Sequence, residues 1–195
     1  MLNYIFLLEL IAVTTGIISV WFAKKENVGL YPIGIVSVVI WIYLCWIGEL
    51  FGQSVINFFF FVMNLYGWFN WSRKKKDDSL VVTIKRNSLS ENIIVVFTSL
   101  ILTLVLYKIL LPFQGEDSTY LYALIEAFIT ALNFVAMWLM AWKRLEHWVL
   151  WIIGDILCIP LFFYKGYYMS VVQFSVFIVI AYLGYKEWRR KIQIL

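Results

Sequence analysis

Seven long apolar stretches constrain the fold of this 195-residue chain more than any other feature. Each is about 18 to 23 residues long, the length that a helix needs to cross a hydrocarbon core of roughly 30 Å. Backbone polar groups in lipid must be satisfied internally, so segments of this length fit only as helices. The stretches cover residues 2–22, 30–48, 53–71, 92–112, 119–141, 147–164 and 168–186. The sequence therefore predicts an all-α integral membrane protein with seven transmembrane helices.

The first stretch could also be a signal peptide. No basic residue precedes it and no small-residue cleavage site follows, so we expect a span. The whole sequence is 63% hydrophobic and 14% charged. A soluble domain of this size could not bury so much apolar surface.

The basic residues follow the odd-numbered spans. These positions hold 14 of the 16 lysines and arginines. By the positive-inside rule, the N-terminus is predicted outside and the C-terminus in the cytoplasm. The net charge of +4 is then explained by topology and by contact with anionic lipid, and no nucleic-acid partner is expected.

Cysteine and histidine give no indication of a metal or cofactor site. Cys45 and Cys158 stand singly in spans two and six, as small packing residues do. His147 has no other His, Cys or acid at metal-ligand spacing. We expect it at the cytoplasmic mouth of span six, where it caps or titrates.

The first and last three spans resemble one another at an offset of 117 residues. The matching pairs are Glu9 with Glu126, Trp21 with Trp138, Gly67 with Gly184, and Trp71 with Trp188. A further shift of three residues lays "ENVGLYPIG" over "EHWVLWIIG". Three spans, a linking span and three more spans give two repeats in the same orientation, as in transporters that bind substrate between two halves. The predicted units are a first repeat (1–71), a cytoplasmic loop (72–91), a linker helix (92–112), a second repeat (118–188) and a cytoplasmic tail (189–195).

Polar side chains within the spans are the candidate site residues, because polar groups are costly in hydrocarbon. They are Asn57, Asn64, Trp68 and Trp71 on one stripe of span three, Glu126 and Asn133 on span five, Trp148, Trp151 and Asp155 on span six, and Gln173 on span seven. Asp155 lies near the midplane with no Lys or Arg at its depth, so it must protonate or meet a cation.

Each candidate also has a structural interpretation. Asn and Gln hold helices together by hydrogen bonds, and Glu9 and Glu126 suit a shared bracing role. Trp21, Trp46 and Trp188 stand at span ends, as interfacial tryptophans do. Trp71 lies at the same depth, whereas Trp68 is placed to face a substrate path.

The chemistry of these residues describes a ligand. Amides bind hydroxyls or a carboxamide, indole faces attract an organic cation by about 2 kcal/mol when desolvated, and one carboxylate supplies a counter-charge. The chain has no glycine-rich loop for phosphate. The set predicts a dephosphorylated aromatic solute, neutral or cationic.

Two segments carry a family resemblance. "FFFFVMNLYGWFNWSR" and "FVAMWLMAWKRLEHWVLWIIGDIL" resemble the PnuC family of bacterial vitamin transporters, and the likeness covers nearly the whole chain. Asn64, Trp68 and Trp71 match the family's N-x-x-G-W-x-x-W stretch. Glu146, Trp148 and Trp151 match its E-x-W-x-x-W stretch. Asn57, His147 and Asp155 depart from it, standing where the nicotinamide riboside transporters have Gln, Asn and Asn.

The resemblance implies a SWEET-like fold, a homotrimer in the bacterial inner membrane and facilitated diffusion of a vitamin. A cytoplasmic kinase would then trap the vitamin by phosphorylation. Nicotinamide riboside is the expected substrate, with thiamine or riboflavin as alternatives.

Two other classes compete with a transporter. A membrane enzyme would need Glu126, His147 and Asp155 to act together, but they lie at different depths. A non-transporting scaffold would explain the amides but not polar stripes in both halves.

Overall fold

The described part of the chain forms seven long helices. The computed structural model describes residues 2–75, 79–113, 120–164 and 168–194. The helices are α1 (Leu2–Lys24), α2 (Leu30–Ile47), α3 (Phe51–Ser72), α4 (Leu89–Leu110), α5 (Tyr120–Ala141), α6 (His147–Tyr164) and α7 (Tyr168–Ile194), with a 3-10 turn at Leu111–Phe113. The all-α prediction is confirmed, and each predicted span corresponds to one helix.

Five of the described helices are long and apolar enough to cross a membrane: α1, α2, α4, α5 and α6. The others, α3 and α7, have 22 and 27 residues. At 1.5 Å per residue both are long enough to match their neighbours. They pack within the same bundle, so the chain is a multi-pass membrane protein.

Six helices form a closed ring. α1 packs against α2 and α7, α3 packs against α2 and α5, and α6 packs against α5 and α7. The first three helices therefore meet the last three at two junctions, α1 with α7 and α3 with α5. α4 packs mainly on the outside of α5.

Two turns of this bundle have the same backbone geometry. After α1, the amide of Asn27 donates to Phe22 O (3.0 Å) and that of Glu26 to Ala23 O (2.9 Å). After α5, the amides of residues 144 and 143 donate in the same way to residues 139 and 140, both at 2.9 Å. Each donor and acceptor in one turn lies 117 positions from its counterpart. These bond pairs define a Schellman cap, in which one residue takes a left-handed conformation.

The left-handed positions of these caps are held by Glu26 (φ 59°) and Lys143 (φ 51°). The register is therefore 117 residues through the turns, and the further shift of three residues predicted from "ENVGLYPIG" is wrong. The caps fix the register because they determine where α2 and α6 begin. Tyr31 then corresponds to Trp148.

The segment between α3 and α4 is tied to the second turn. Lys85 forms an isolated parallel bridge with Arg144, and its backbone bonds Lys143 O and Leu145 N at 3.1 and 2.9 Å. Ser88 and Glu91 form a capping box that begins α4. The same segment has a second isolated bridge, an antiparallel one between Lys74 and Leu80. We call the end of the bundle with these turns the basic end.

Candidate functional site

Five buried rings pack together at the basic end, in what we call the basic-end cluster. Its members are Tyr31, Trp71, His147, Trp148 and Trp188, and each side chain is nearly inaccessible. Trp188 lies at the centre, with its ring centroid 5.9 Å from that of Trp71, 5.7 Å from Trp148 and 4.8 Å from His147. The Tyr31 ring meets Trp71 edge-on at 5.2 Å. The cluster joins α2, α3, α6 and α7, so it closes the centre of the ring at this end.

Two glycines allow the rings to pack this closely. A Cβ at Gly67 would lie 2.4 Å from Cε1 of Tyr31, and one at Gly184 would lie 2.6 Å from Cζ2 of Trp148. No side chain fits in such a gap. The two glycines are 117 residues apart, as are the two rings they meet.

Two indoles hydrogen-bond across the halves of the chain. Trp71 Nε1 donates to Met140 O and Trp188 Nε1 donates to Ala23 O, both at 3.1 Å. Both donors and both acceptors are related by 117 residues. The interfacial role predicted for Trp188 is therefore wrong, because its side chain is enclosed between helices, and the Trp71 side chain is enclosed in the same way. Trp21 and Trp46 are exposed, which agrees with interfacial positions.

Trp68 and Trp71 differ in their exposure. Trp68 is 41% exposed, whereas Trp71 is 3% exposed. One turn of α3 carries Gly67 and Trp71 towards Tyr31 of α2, which leaves Trp68 at the edge of that contact. The sequence could not show which indole would face α2, because both lie on one stripe.

An ion pair joins the two caps beside the cluster. Lys143 Nζ lies 2.7 Å from Glu26 Oε1, and Lys191 Nζ lies 3.0 Å from Glu26 Oε2. The Lys143 side chain is only 2% exposed, and its Nζ lies 4.6 Å from the Trp71 ring centroid. Burial raises the pKa of Glu26, but hydrogen bonds and charges from the two lysines outweigh it and hold that pKa below its usual value.

Sequence reasoning missed Glu26, Tyr31 and the role of Lys143, which it assigned to membrane topology. The 117-residue offset could have found all three. It pairs Glu26 with Lys143, and Tyr31 with the predicted Trp148. His147, predicted at the mouth of span six, is the first residue of α6, and its ring is buried, with Nδ1 2.6 Å from Arg144 O.

The amides of α3 face α2. Asn64 is buried, and its Nδ2 donates to Phe60 O at 2.8 Å. Its Oδ1 lies against Gly34, where a Cβ would be 2.8 Å away. Asn57 Nδ2 donates to Gln53 O at 2.9 Å and reaches Cys45 Sγ at 4.0 Å. Each amide therefore donates to a carbonyl of its own helix and also contacts α2, Asn64 at Gly34 and Asn57 at Cys45.

A second polar group lies between α5 and α6. The Oδ1 of Asn133 is buried without a hydrogen-bond partner in the described part of the chain, and it lies 3.0 Å from the Cβ position of Gly154. Asp155 follows that glycine and is 6% exposed. Glu126 lies on α5, and Asp155 lies one turn before Cys158 on α6. Asp155 forms no ion pair with a described Lys or Arg, so the group has acceptors to offer to a cation.

Two predicted residues, Trp151 and Gln173, remain to be placed. Trp151 is half-buried against the basic-end cluster, and Gln173 is half-buried on α7. The ten predicted residues thus divide among the basic-end cluster, with Trp151 packed against it, the α2–α3 amides and the α5–α6 polar group, and Trp68 and Gln173 lie apart. Their binding roles stay predictions.

Comparison with known proteins adds a family to this geometry. The sequence profile described as "Nicotinamide mononucleotide transporter" matches residues 6–190. The chain is 22% identical over 204 residues to the nicotinamide riboside transporter PnuC of Escherichia coli (strain K12), covering 93% of this chain and 84% of that protein. It is 22% identical over 176 residues to the riboflavin/roseoflavin transporter RibM of Streptomyces davaonensis, covering 89% and 80%.

The fold resembles a solved structure as well. The crystal structure of the vitamin B3 transporter PnuC superimposes with a TM-score of 0.75 at 22% identity, covering 94% of this chain and 80% of that one. The likeness extends over all seven helices and supports the arrangement described above.

Proposed function

The chain belongs to the nicotinamide mononucleotide transporter family, which includes PnuC, and on this premise we propose that its substrate is nicotinamide riboside. It is a membrane transporter of this family. Nicotinamide riboside carries a permanent positive charge on an aromatic ring, together with a carboxamide and ribose hydroxyls. Each of these groups has a chemical match among the buried side chains.

The observation that carries this proposal is that Asp155 is buried and forms no ion pair with a described Lys or Arg. A carboxylate so little exposed is costly in a membrane unless a positive charge or a proton meets it. No described Lys or Arg pairs with Asp155. The unpartnered Oδ1 of Asn133 lies against Gly154, the residue before Asp155. A cationic ring supplies the missing charge, and a carboxamide N–H supplies a donor for the amide oxygen.

The architecture favours a path between two halves. We propose that α1–α3 and α5–α7 are parallel repeats linked by α4, in a SWEET-like 3+1+3 arrangement, because their turns and ring contacts recur at 117 residues. The basic end then faces the cytoplasm by the positive-inside rule. Transport by facilitated diffusion, trapping by a cytoplasmic kinase, a homotrimer and an inner-membrane location complete the proposal by family resemblance.

Thiamine is the second candidate, because it is also a permanent cation that suits Asp155. The RibM relative keeps riboflavin among the candidates, although its neutral flavin offers Asp155 no charge.

Uptake into vesicles tests the transport mode. Labelled nicotinamide riboside should equilibrate across proteoliposomes without ATP or an ion gradient, and Asp155→Asn should slow it. A requirement for a proton gradient would refute facilitated diffusion, and equal uptake by empty liposomes would refute transport. Uptake by Asp155→Asn is compared with uptake by Asn57→Gln, a variant among the α2–α3 amides. This second change introduces the glutamine that the family pattern has at that position.

A further inference from the structure

We infer that Glu26 and Lys143 hold shut a gate at the basic end, and that their ion pair must break for substrate to pass. The proposal rests on the geometry of the caps and not on the identity of the substrate.

The pair joins the two halves at equivalent positions. Glu26 and Lys143 are 117 residues apart, and each occupies the left-handed position of its Schellman cap. A bond between equivalent residues lies on the axis that relates the two halves. Any movement that separates the halves at this end must therefore lengthen this contact.

The ion pair lies beside the basic-end cluster, whose tryptophans also bond from one half of the chain to the other. Lys143 lies over the Trp71 ring, and Trp71 donates to Met140 O in the same cap. Trp188 repeats that bond to Ala23 O on the other side. Opening this end breaks these two bonds together with the ion pair, so the three contacts form one cooperative unit.

The backbone supports a role that requires these side chains. A residue other than glycine in the left-handed region costs about 1–2 kcal/mol, and glycine is usual at this cap position. Both caps carry long, oppositely charged residues instead. Among the described residues, Glu49 at the end of α2 has the same conformation, whereas Glu26 and Lys143 carry it at the contact between the halves.

A gate of this kind has to be breakable. Lys143 is buried, but Glu26 is about one-fifth exposed and shares its second oxygen with Lys191. Lys191 lies on α7, so both lysines separate from Glu26 when the halves part, and the charges then reach water. The ion pair therefore favours the closed state without making opening prohibitive.

Cysteine accessibility tests the gate without any vitamin. Ala181→Cys places a small reporter in the buried core beside the cluster, in a background of Cys45→Ala and Cys158→Ala. A membrane-impermeant methanethiosulfonate is added to inverted or to right-side-out vesicles. With Glu26→Gln, labelling should accelerate about tenfold in one vesicle orientation only.

Two further variants keep the test decisive. Glu26→Gly removes the carboxylate but suits the left-handed cap, so it should fold and label as fast as Glu26→Gln. A charge exchange, Glu26→Lys with Lys143→Glu, is made in a Lys191→Gln background so that the new lysine meets no like charge. It should restore slow labelling. Glu187→Gln is the control, because Glu187 pairs with Arg190 within α7 at the same end.

Unchanged labelling in both Glu26 variants would overturn the gate. Acceleration from both sides alike would indicate general loosening and would also overturn it, as would a charge exchange that fails to restore slow labelling. Because no vitamin is present, these outcomes are independent of whether nicotinamide riboside is the substrate.

Discussion

Gly67→Ala is predicted to destabilise the protein, although alanine favours helix more than glycine does. The new Cβ would lie 2.4 and 2.5 Å from ring carbons of Tyr31, whereas carbon atoms pack at about 3.5–4.0 Å. Either the ring or α3 must therefore move by about 1 Å. Tyr31 is fully buried against Trp71, so the ring has no free space to enter.

The expected cost follows from two opposing terms. Overpacking a core costs about 1–3 kcal/mol, and replacing glycine in a helix returns about 1 kcal/mol. The net loss is about 1–2 kcal/mol, because a ring clash of this size lies in the upper part of the overpacking range. For a chain of this length the melting temperature should fall by about 2–8 °C.

The assay is thermal unfolding of the purified protein in detergent. Gly184→Ala should behave alike, because its Cβ would lie 2.6 Å from Trp148. Gly16→Ala is the control, since its Cβ would meet only Ser37 Oγ at 3.2 Å. Tyr31→Leu should remove most of the cost of Gly67→Ala, a coupling that a double-mutant cycle measures. Additive effects of the two changes, or no loss in Gly67→Ala, would refute the reasoning.

Three other outcomes are expected from the same geometry. Trp71→Phe and Trp188→Phe should each cost about 1–2 kcal/mol through one lost cross-half hydrogen bond, and clearly unequal melting temperatures would contradict their equivalence. Trp68→Ala should lower the melting temperature less than Trp71→Ala does, since Trp68 is partly exposed; the reverse order would contradict the burial described. Glu26 has a lowered folded-state pKa, so its contribution is present above the ordinary glutamate pKa of about 4.3 and is lost as pH falls through the folded value. Glu26→Gln should therefore flatten the acid side of the stability profile, and an unchanged profile would exclude the ion pair as its source.

The helices were predictable because hydrophobicity and length decide them. Each of the seven predicted spans corresponds to one helix in the structure. The offset of 117 was also visible from a few identities, such as Gly67 with Gly184. Both signals are local or periodic, so they do not depend on knowing which faces meet.

The basic-end cluster was not predictable in the same way. A tryptophan at a span end, such as Trp188, fits the membrane interface equally well until its neighbours are known. Lys143 fits a topology signal for the same reason. Whether a side chain meets lipid, water or another helix depends on tertiary packing, and the caps that direct it carry Glu26 and Lys143 in place of the usual glycine.

The α5–α6 polar group was predictable in part, less than the helices and more than the basic-end cluster. Asp155 was predicted from its depth and its lack of a cation, and the structure shows it buried. The orphaned Asn133 oxygen and its contact with Gly154 needed coordinates, because spacing along α5 gives no distance to α6.

Binding to purified protein tests the central claim most directly. Isothermal calorimetry would compare nicotinamide riboside, thiamine and riboflavin for the unmodified chain and for Asp155→Asn. We expect nicotinamide riboside to bind, and the variant to lose about 2 kcal/mol, roughly thirtyfold in affinity, through the lost charge. An unchanged affinity for every vitamin would remove Asp155 from the site, and riboflavin alone binding would contradict a cationic substrate.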